Sequence, residues 1–230
     1  TATSETNTMK RQIWSAAVAA LLAATNAIGC TSAAQQSAGG AVRPQVNAAD
    51  VHFMSGMIPH HAQAVLIAGW APTHGARADV RTLCERIVVG QRDEIALMQT
   101  WLRDHNQTVP DATATRMKMT MNGMEHDMLM PGMLTDEELA ELDKARGSEF
   151  DRLFLGAMIR HHQGAITMVD QLFGSSGAGQ DEVVFRFASD VYADQTTEIE
   201  RMQKMLAATP GANQLTVTLR MEGDVIKDVG

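Results

Sequence analysis

Two short motifs carry the chemistry this sequence offers. Met57-Ile58-Pro59-His60-His61 and Met158-Ile159-Arg160-His161-His162 each set one thioether three and four residues before two imidazoles. On an α-helix, residues i, i+3 and i+4 are neighbours, so Met57 lies beside His60 and His61, and Met158 beside His161 and His162. Consecutive helical residues project about 100° apart, because a turn takes 3.6 residues. One helix therefore cannot easily aim both of its histidines at one ion. Two such helices can each give one histidine to a shared site, or form two sites related by pseudo-symmetry, and both arrangements stay open. Imidazole with thioether is a copper ligand set, with Cu(I) favoured by the soft sulfur. Mg or Ca ions would ask for oxygen ligands. The competing reading is structural, with hydrogen-bonded core histidines and methionines as filler. Against it, four histidines on apolar stripes must each satisfy polar nitrogens, which is costly without partners.

A second constellation lies between the motifs. Met117, Met119, Met121, Met124, Met128, Met130 and Met133 place seven thioethers in a 17-residue stretch that also holds His126. Flexible thioethers can wrap a soft Cu(I) or Ag(I) ion without preformed geometry. They can equally form an adaptable lid over the end of the core, or a methionine-rich surface for a partner. Gln91, Glu94, Gln195 and Glu198 form a third group, on the inner stripes of the helices that follow each motif. Their expected role is to accept the far N–H of each histidine and so fix its tautomer; the plain alternative turns each Glu to water. His52, His74 and His105 stand outside the repeated motif and read as surface or capping residues.

These residues must be positioned by helices, and the chain contains the same helical unit twice. Residues 50–68 match 151–169 at an offset of 101, sharing Asp50/Asp151, Phe53/Phe154, Met57/Met158, His60/His161, His61/His162 and Ala64/Ala165. Residues 91–102 match 195–206 at an offset of 104, and the Gly- and Ser-rich run 174–180 absorbs the difference. Repeats of this kind mark a duplicated supersecondary unit. Apolar residues recur with helical period, which predicts helices over 50–70, 77–104, 148–173 and 181–208. Thr135-Asp136-Glu137-Glu138 is a capping-box pattern that opens a short helix to about Arg146, with Gly147 as its stop and Ser148 as the next cap. Pro59 should kink the first helix, because it removes an N–H. The connector from 105 to 147 reads as a long loop that crosses the bundle. The expected fold is all-α, a four-helix bundle of two helix–loop–helix units over residues 49–210. Residues 211–230 form a tail in which 215–221 alternates like a short strand without an assigned role.

Composition narrows the function. The 230 residues include 16 Met and 8 His but only 3 Trp, 1 Tyr and 6 Phe. That profile disfavours an all-β sandwich, which is rich in β-branched and aromatic residues. The formal net charge of −8 gives no basic footprint for nucleic acid. Residues 1–8 precede a plausible initiator, Met9, and residues 1–29 read as upstream residues plus a signal peptide. Lys10 and Arg11 precede the apolar run Ile13–Ala24, and Ala27-Ile28-Gly29-Cys30 follows. That order is a secretory signal, and the small residues before Cys30 point to lipid attachment there. Residues 30–48 then form a flexible tether. Cys84 is left alone on an apolar pattern, as a buried inert thiol.

FMSGMIPHHAQAV and FLGAMIRHHQGAI, each followed by Gln-x-x-Glu-Ile-x-x-Met, closely resemble the bacterial domain of unknown function family 305, as does PGMLTDEELAEL before the second copy. The resemblance covers about 48–208. It implies a ferritin-like four-helix bundle, exported, with members implicated in copper binding and tolerance. Carried over, the implied ligands are Met57, His60, His61, Met158, His161 and His162. Leu66 departs from the methionine expected at its position.

Two classes of function follow. The first is an extracytoplasmic, non-catalytic copper protein that sequesters, buffers or transfers Cu(I) or Cu(II). Its partners would be copper ions and a periplasmic copper donor or acceptor protein, with the membrane reached by a lipid anchor only and no nucleic acid. The second is a redox enzyme on the same bundle. Di-iron bundles use Glu-x-x-His, and no histidine here has a Glu three residues before it. The His-Glu-x-x-His of zinc hydrolases is also absent. A purely structural helical lipoprotein is the remaining alternative.

Overall fold

The computed structural model describes residues 46–121 and 123–209. The leader, Cys30, the tether as far as residue 45 and the strand expected over 215–221 lie outside the described residues. Helices α1 (Ala48–Ala68) and α2 (Ala78–Asp104) form one hairpin of helices, and α4 (Ser148–Gly174) and α5 (Glu182–Ala207) form the other. α1 packs against α4, so the two motif-bearing helices are the inner pair and each is backed by its own partner. Each expected helix is present within about two residues at either end, the usual scatter of helix boundaries. None of the helices described is long and apolar enough to cross a membrane.

The helix starts follow capping chemistry. Asn47 accepts the Ala49 N–H at 2.8 Å, and Asp181 accepts those of Val183 and Val184. Thr135 and Glu138 form the expected reciprocal box at the start of α3 (Asp136–Lys144). Ser148 is not a cap: it is the first residue of α4, and Gly147 takes the capping position at φ +59°. The α3 stop is Ala145 instead. Gly147 serves a different need, because its N–H donates to the His74 carbonyl at 2.8 Å. Pro59 lies within an unbroken α1.

The repeated aspartates explain themselves as clamps. Asp50 accepts the N–H of Gly179 at 2.7 Å, and Asp151 accepts that of Arg77 at 3.3 Å. Each copy thus ties down the turn of the other, by a buried bond at Asp50 and a part-buried one at Asp151, bonds to carboxylates being worth roughly 1.5–3 kcal/mol each.

The connector differs from expectation. Met117–Met121 (β1) and Met124–Met128 (β2) pair as an antiparallel hairpin, not a loop. The register sets Met117 opposite Met128, Met119 opposite His126 and Met121 opposite Met124. Opposed residues share a face and side chains alternate along a strand, so Met117, Met119, Met124, His126 and Met128 belong to one face. Lys118, Glu125 and Asp127 belong to the other.

The apolar core falls into two clusters. One gathers Phe53, Met57, Ile95, Met98, Met168, Phe187 and Val191 with others, and the second gathers Ile67, Leu83, Ile87, Phe150, Phe154, Met158 and Met202 with others. On all four long helices the residues between the clusters are polar: His60 and His61, Gln91, His161 and His162, and Gln195. A polar layer therefore crosses the middle of the bundle.

Candidate metal centre

All four histidines of that layer are fully buried, as are Met57 and Met158. The rings of His60 and His161 meet across the α1–α4 contact with centroids 3.8 Å apart. His61 lies 6.1 Å from His60, and His162 lies 6.3 Å from His161. The two outer histidines thus turn toward the flanking helices. Met57 belongs to one apolar cluster and Met158 to the other, so the thioethers bracket the layer from opposite sides. Among the described residues no three His, Cys, Asp or Glu side chains converge as a ready-made cage. A metal held here would draw on thioether as well as imidazole.

The outer nitrogens have acceptors. His162 Nε2 donates to Glu198 Oε2 at 2.8 Å, and His61 Nε2 lies 2.7 Å from Glu94 Oε2, close but poorly aligned as a hydrogen bond. His60 Nε2 donates to the carbonyl of Pro131 at 3.1 Å. A neutral imidazole donates from one nitrogen and keeps a lone pair on the other. A carbonyl or carboxylate only accepts, so Pro131 and Glu198 hold the proton on Nε2 of His60 and His162 and leave Nδ1 bare. The Nδ1 atoms of His60 and His162, and both nitrogens of His61 and His161, are buried without a hydrogen-bond partner. The side-chain oxygens of Gln91 and Gln195 share that condition. Such orphaned groups each cost of order 1–3 kcal/mol in a native interior and call for an explanation. A soft metal ion among them supplies one, since bare imidazole nitrogens are what copper takes.

Burial, then the positive charge of neighbouring imidazoles, pushes the pKa of His60 well below the ordinary 6.5; the same two causes act on His161. Both stay neutral in the fold and take up protons on unfolding. The unfolded chain then binds more protons below pH 6.5, so the stability is present above that pH and lost beneath it. The metal-free protein is expected to lose about 1.4 kcal/mol per pH unit for each such histidine, once pH is well under 6.5. Thermal melts from pH 7.5 to 5.5 test this, and a flat melting temperature would count against the neutral pair.

The connector docks beside this layer through contacts that sequence reading did not find. Gln63, buried on α1, accepts the Leu134 N–H at 2.7 Å and donates to the Leu134 carbonyl at 3.0 Å. Gly164 of α4 meets the Pro131–Gly132 backbone so closely that a Cβ there would overlap Pro131 O. Gly132 itself has φ +77° and faces the Arg160 carbonyl.

The connector methionines separate. Met130 and Met133 are buried, and Met117 and Met119 are half-buried, whereas Met124 and Met128 are exposed along with His126. The structure describes the backbone pairing of Met121. Of the other histidines, His105 accepts the expected capping role, with Nδ1 2.7 Å from the Trp101 carbonyl. His74 is not a surface residue. It is buried, with Nδ1 2.9 Å from Thr73 Oγ1 and Nε2 3.0 Å from Asp143. Leu66 is 41% exposed and lines a groove with Trp70 and Arg92, away from the layer. It is no missing ligand. The Cys84 thiol is buried, and burial with the nearby Asp151 charge pushes its pKa up to about 12, which makes it inert.

The fold and the layer define a class: an all-helical bundle of two repeats with buried imidazoles between its apolar halves. The chain belongs to the DUF305 family, a domain of unknown function, whose match spans residues 50–206. Among solved structures, a DUF305 fragment from Deinococcus radiodurans is 27% identical with a TM-score of 0.59, covering 72% of this chain and 99% of that one. A DUF305 protein from Streptomyces coelicolor, described as a candidate secreted protein, is 29% identical with a TM-score of 0.58 over 70% of this chain and 93% of its own. CopM in its Cu(II)-bound form is 28% identical with a TM-score of 0.54, covering 69% and 96%. CopM has also been solved in Cu(I)-bound, Ag-bound and apo forms. No curated protein matches the sequence.

Proposed function

We propose that this protein binds copper outside the cytoplasm and sequesters it, buffers it or passes it on, without catalysing a reaction. The carrying observation is the layer itself: His60 and His162 held at Nε2 with Nδ1 bare, His61 with its Nε2 beside Glu94, and His161 with neither nitrogen engaged. Met57 and Met158 supply the thioethers. Glu94 and Glu198 orient His61 and His162, and Gln91 and Gln195 bring further oxygens to the same level. Copper-bound CopM, on a similar fold, supports the choice of metal. Full burial supports binding over catalysis, because a bare ion fits where an organic substrate does not reach. The basic and apolar leader before Cys30 supports export and a lipid anchor, and a relative described as a candidate secreted protein agrees with export. A periplasmic donor or acceptor protein would then exchange the ion.

The test is competitive Cu(I) and Cu(II) titration of the parent and of a variant with His60, His61, His161 and His162 all changed to Ala. The parent saturates and the variant loses this binding while far-UV circular dichroism keeps its helical signal. Unchanged stoichiometry and affinity in a folded variant sinks the assignment. Met57→Leu with Met158→Leu, a near-isosteric pair that costs little in packing, weakens Cu(I) more than Cu(II).

A further inference from the structure

The root of the hairpin brings sulfur to an imidazole that the buried layer does not use. Gly56 of α1 is buried, and its missing side chain leaves room for two thioethers. A Cβ at Gly56 would stand 3.4 Å from Met117 Sδ, 3.4 Å from Met130 Sδ and 2.8 Å from Met130 Cε. Any larger residue would force the two sulfurs away from that spot. One turn earlier, His52 occupies the same face of α1 as Gly56, since i and i+4 are neighbours. His52 and Met130 line one small cavity of about 60 Å³, together with Met168 of α4, Phe53 and Leu172. Met133 is drawn elsewhere, its sulfur accepting the Met130 N–H at 3.2 Å.

We infer that Met117, Met130, Met168 and His52 form a second site, for one soft monovalent ion such as Cu(I) or Ag(I). The chemistry of the set selects that class. Thioether sulfur and imidazole suit Cu(I). No carboxylate lines the cavity, so a divalent hard ion gains no compensating charge for the water it leaves behind. The site is also more open than the histidine layer, because His52 is exposed while Met130 and Met168 are buried. An ion there can exchange with solvent or a partner through the imidazole. The inference does not rest on the histidine layer, since it shares no residue with it.

The experiment is Ag(I) titration of the full chain with methionine ε-methyl and histidine ring resonances followed by NMR. Ag(I) is expected to shift the Met168 methyl and His52 ring signals. Met117→Leu with Met130→Leu is expected to lose one equivalent of bound Ag(I), and His52→Gln, at an exposed position, to weaken that equivalent at least tenfold. The same shifts persist in the variant lacking the four layer histidines. The inference is overturned if Met168 and His52 stay unmoved, if the Leu pair keeps the full silver stoichiometry, or if the response vanishes with the four histidines in a folded protein. Copper binding left unchanged in the folded four-histidine variant, with silver retained at His52, would sink the proposed function and leave this site standing.

Discussion

Gly164→Ala lowers the melting temperature of the metal-free protein by roughly 6–12 °C. The new methyl would overlap the Pro131 carbonyl and crowd the Gly132 N at 2.8 Å, and these are backbone atoms that cannot rotate aside. Either the connector lifts from α4 or α4 shifts against α1. Forced overpacking of this kind costs about 1–3 kcal/mol and occasionally more. The upper end applies here, because Gly132 is held by its own close contact with Arg160 and cannot retreat. Each kcal/mol moves the melting point of a chain this size by roughly 2–4 °C. The change also displaces Pro131, whose carbonyl holds His60 Nε2, so copper binding weakens with stability. Gly156→Ala is the matched control. It lies on the same helix with nothing near its Cβ position, and Ala there gains up to about 1 kcal/mol of helix propensity. Scanning calorimetry of both variants decides the matter. Equal melting points for the two would remove the connector clamp from the account of the fold.

Glu94→Gln with Glu198→Gln weakens copper binding by roughly 10–100-fold per site, the usual cost of losing the carboxylate behind a metal-ligating histidine. Both carboxylates lie within 2.8 Å of a buried Nε2, at Glu94–His61 and Glu198–His162. An ionised carboxylate accepts the N–H strongly and makes Nδ1 a better donor to the metal; an amide does so only weakly. Asp194→Asn is the control that separates this from bulk negative charge. Burial, then the carboxylates of Glu94, Asp190 and Glu198, raises the Asp194 pKa, which places it in the same acidic patch. It makes no hydrogen bond or ion pair with the histidines, so its loss is expected to leave affinity near the parent. Competition against a chromophoric copper chelator gives the comparison. Equal losses in the two cases would reduce Glu94 and Glu198 to general attraction of cations.

The sequence was most legible where structure is local. The duplicated motif, the four helix spans and the Thr135 capping box depend on residues a few positions apart, and they stand in the structure close to where periodicity puts them. The hairpin was equally local, yet the loop reading missed it. Met-Lys-Met-Thr-Met and Met-Glu-His-Asp-Met alternate with period two around Asn122-Gly123, which is the strongest short hairpin signal. Gly123 indeed has φ +77°. His74 carried no pattern at all, because the groups that hold it come from afar: Asp143 bonds its Nε2 from 69 residues away and the Phe150 ring packs against it.

By itself the sequence determined which atoms the bundle can offer: bare imidazole and thioether, twice, on helix faces fixed by a period of 3.6. Only the tertiary structure decided what those atoms meet. Pro131 is 71 residues from His60, and Glu198 is 36 from His162. A glycine at 56 or 164 reads in sequence as a weak helix position. In the fold, one makes room for two sulfurs and the other for a crossing backbone. The physical reason is the same in each case. Side-chain type and helical phase are properties of a short segment, while tautomer, burial and close approach belong to pairs of segments, and packing alone chooses the pairs.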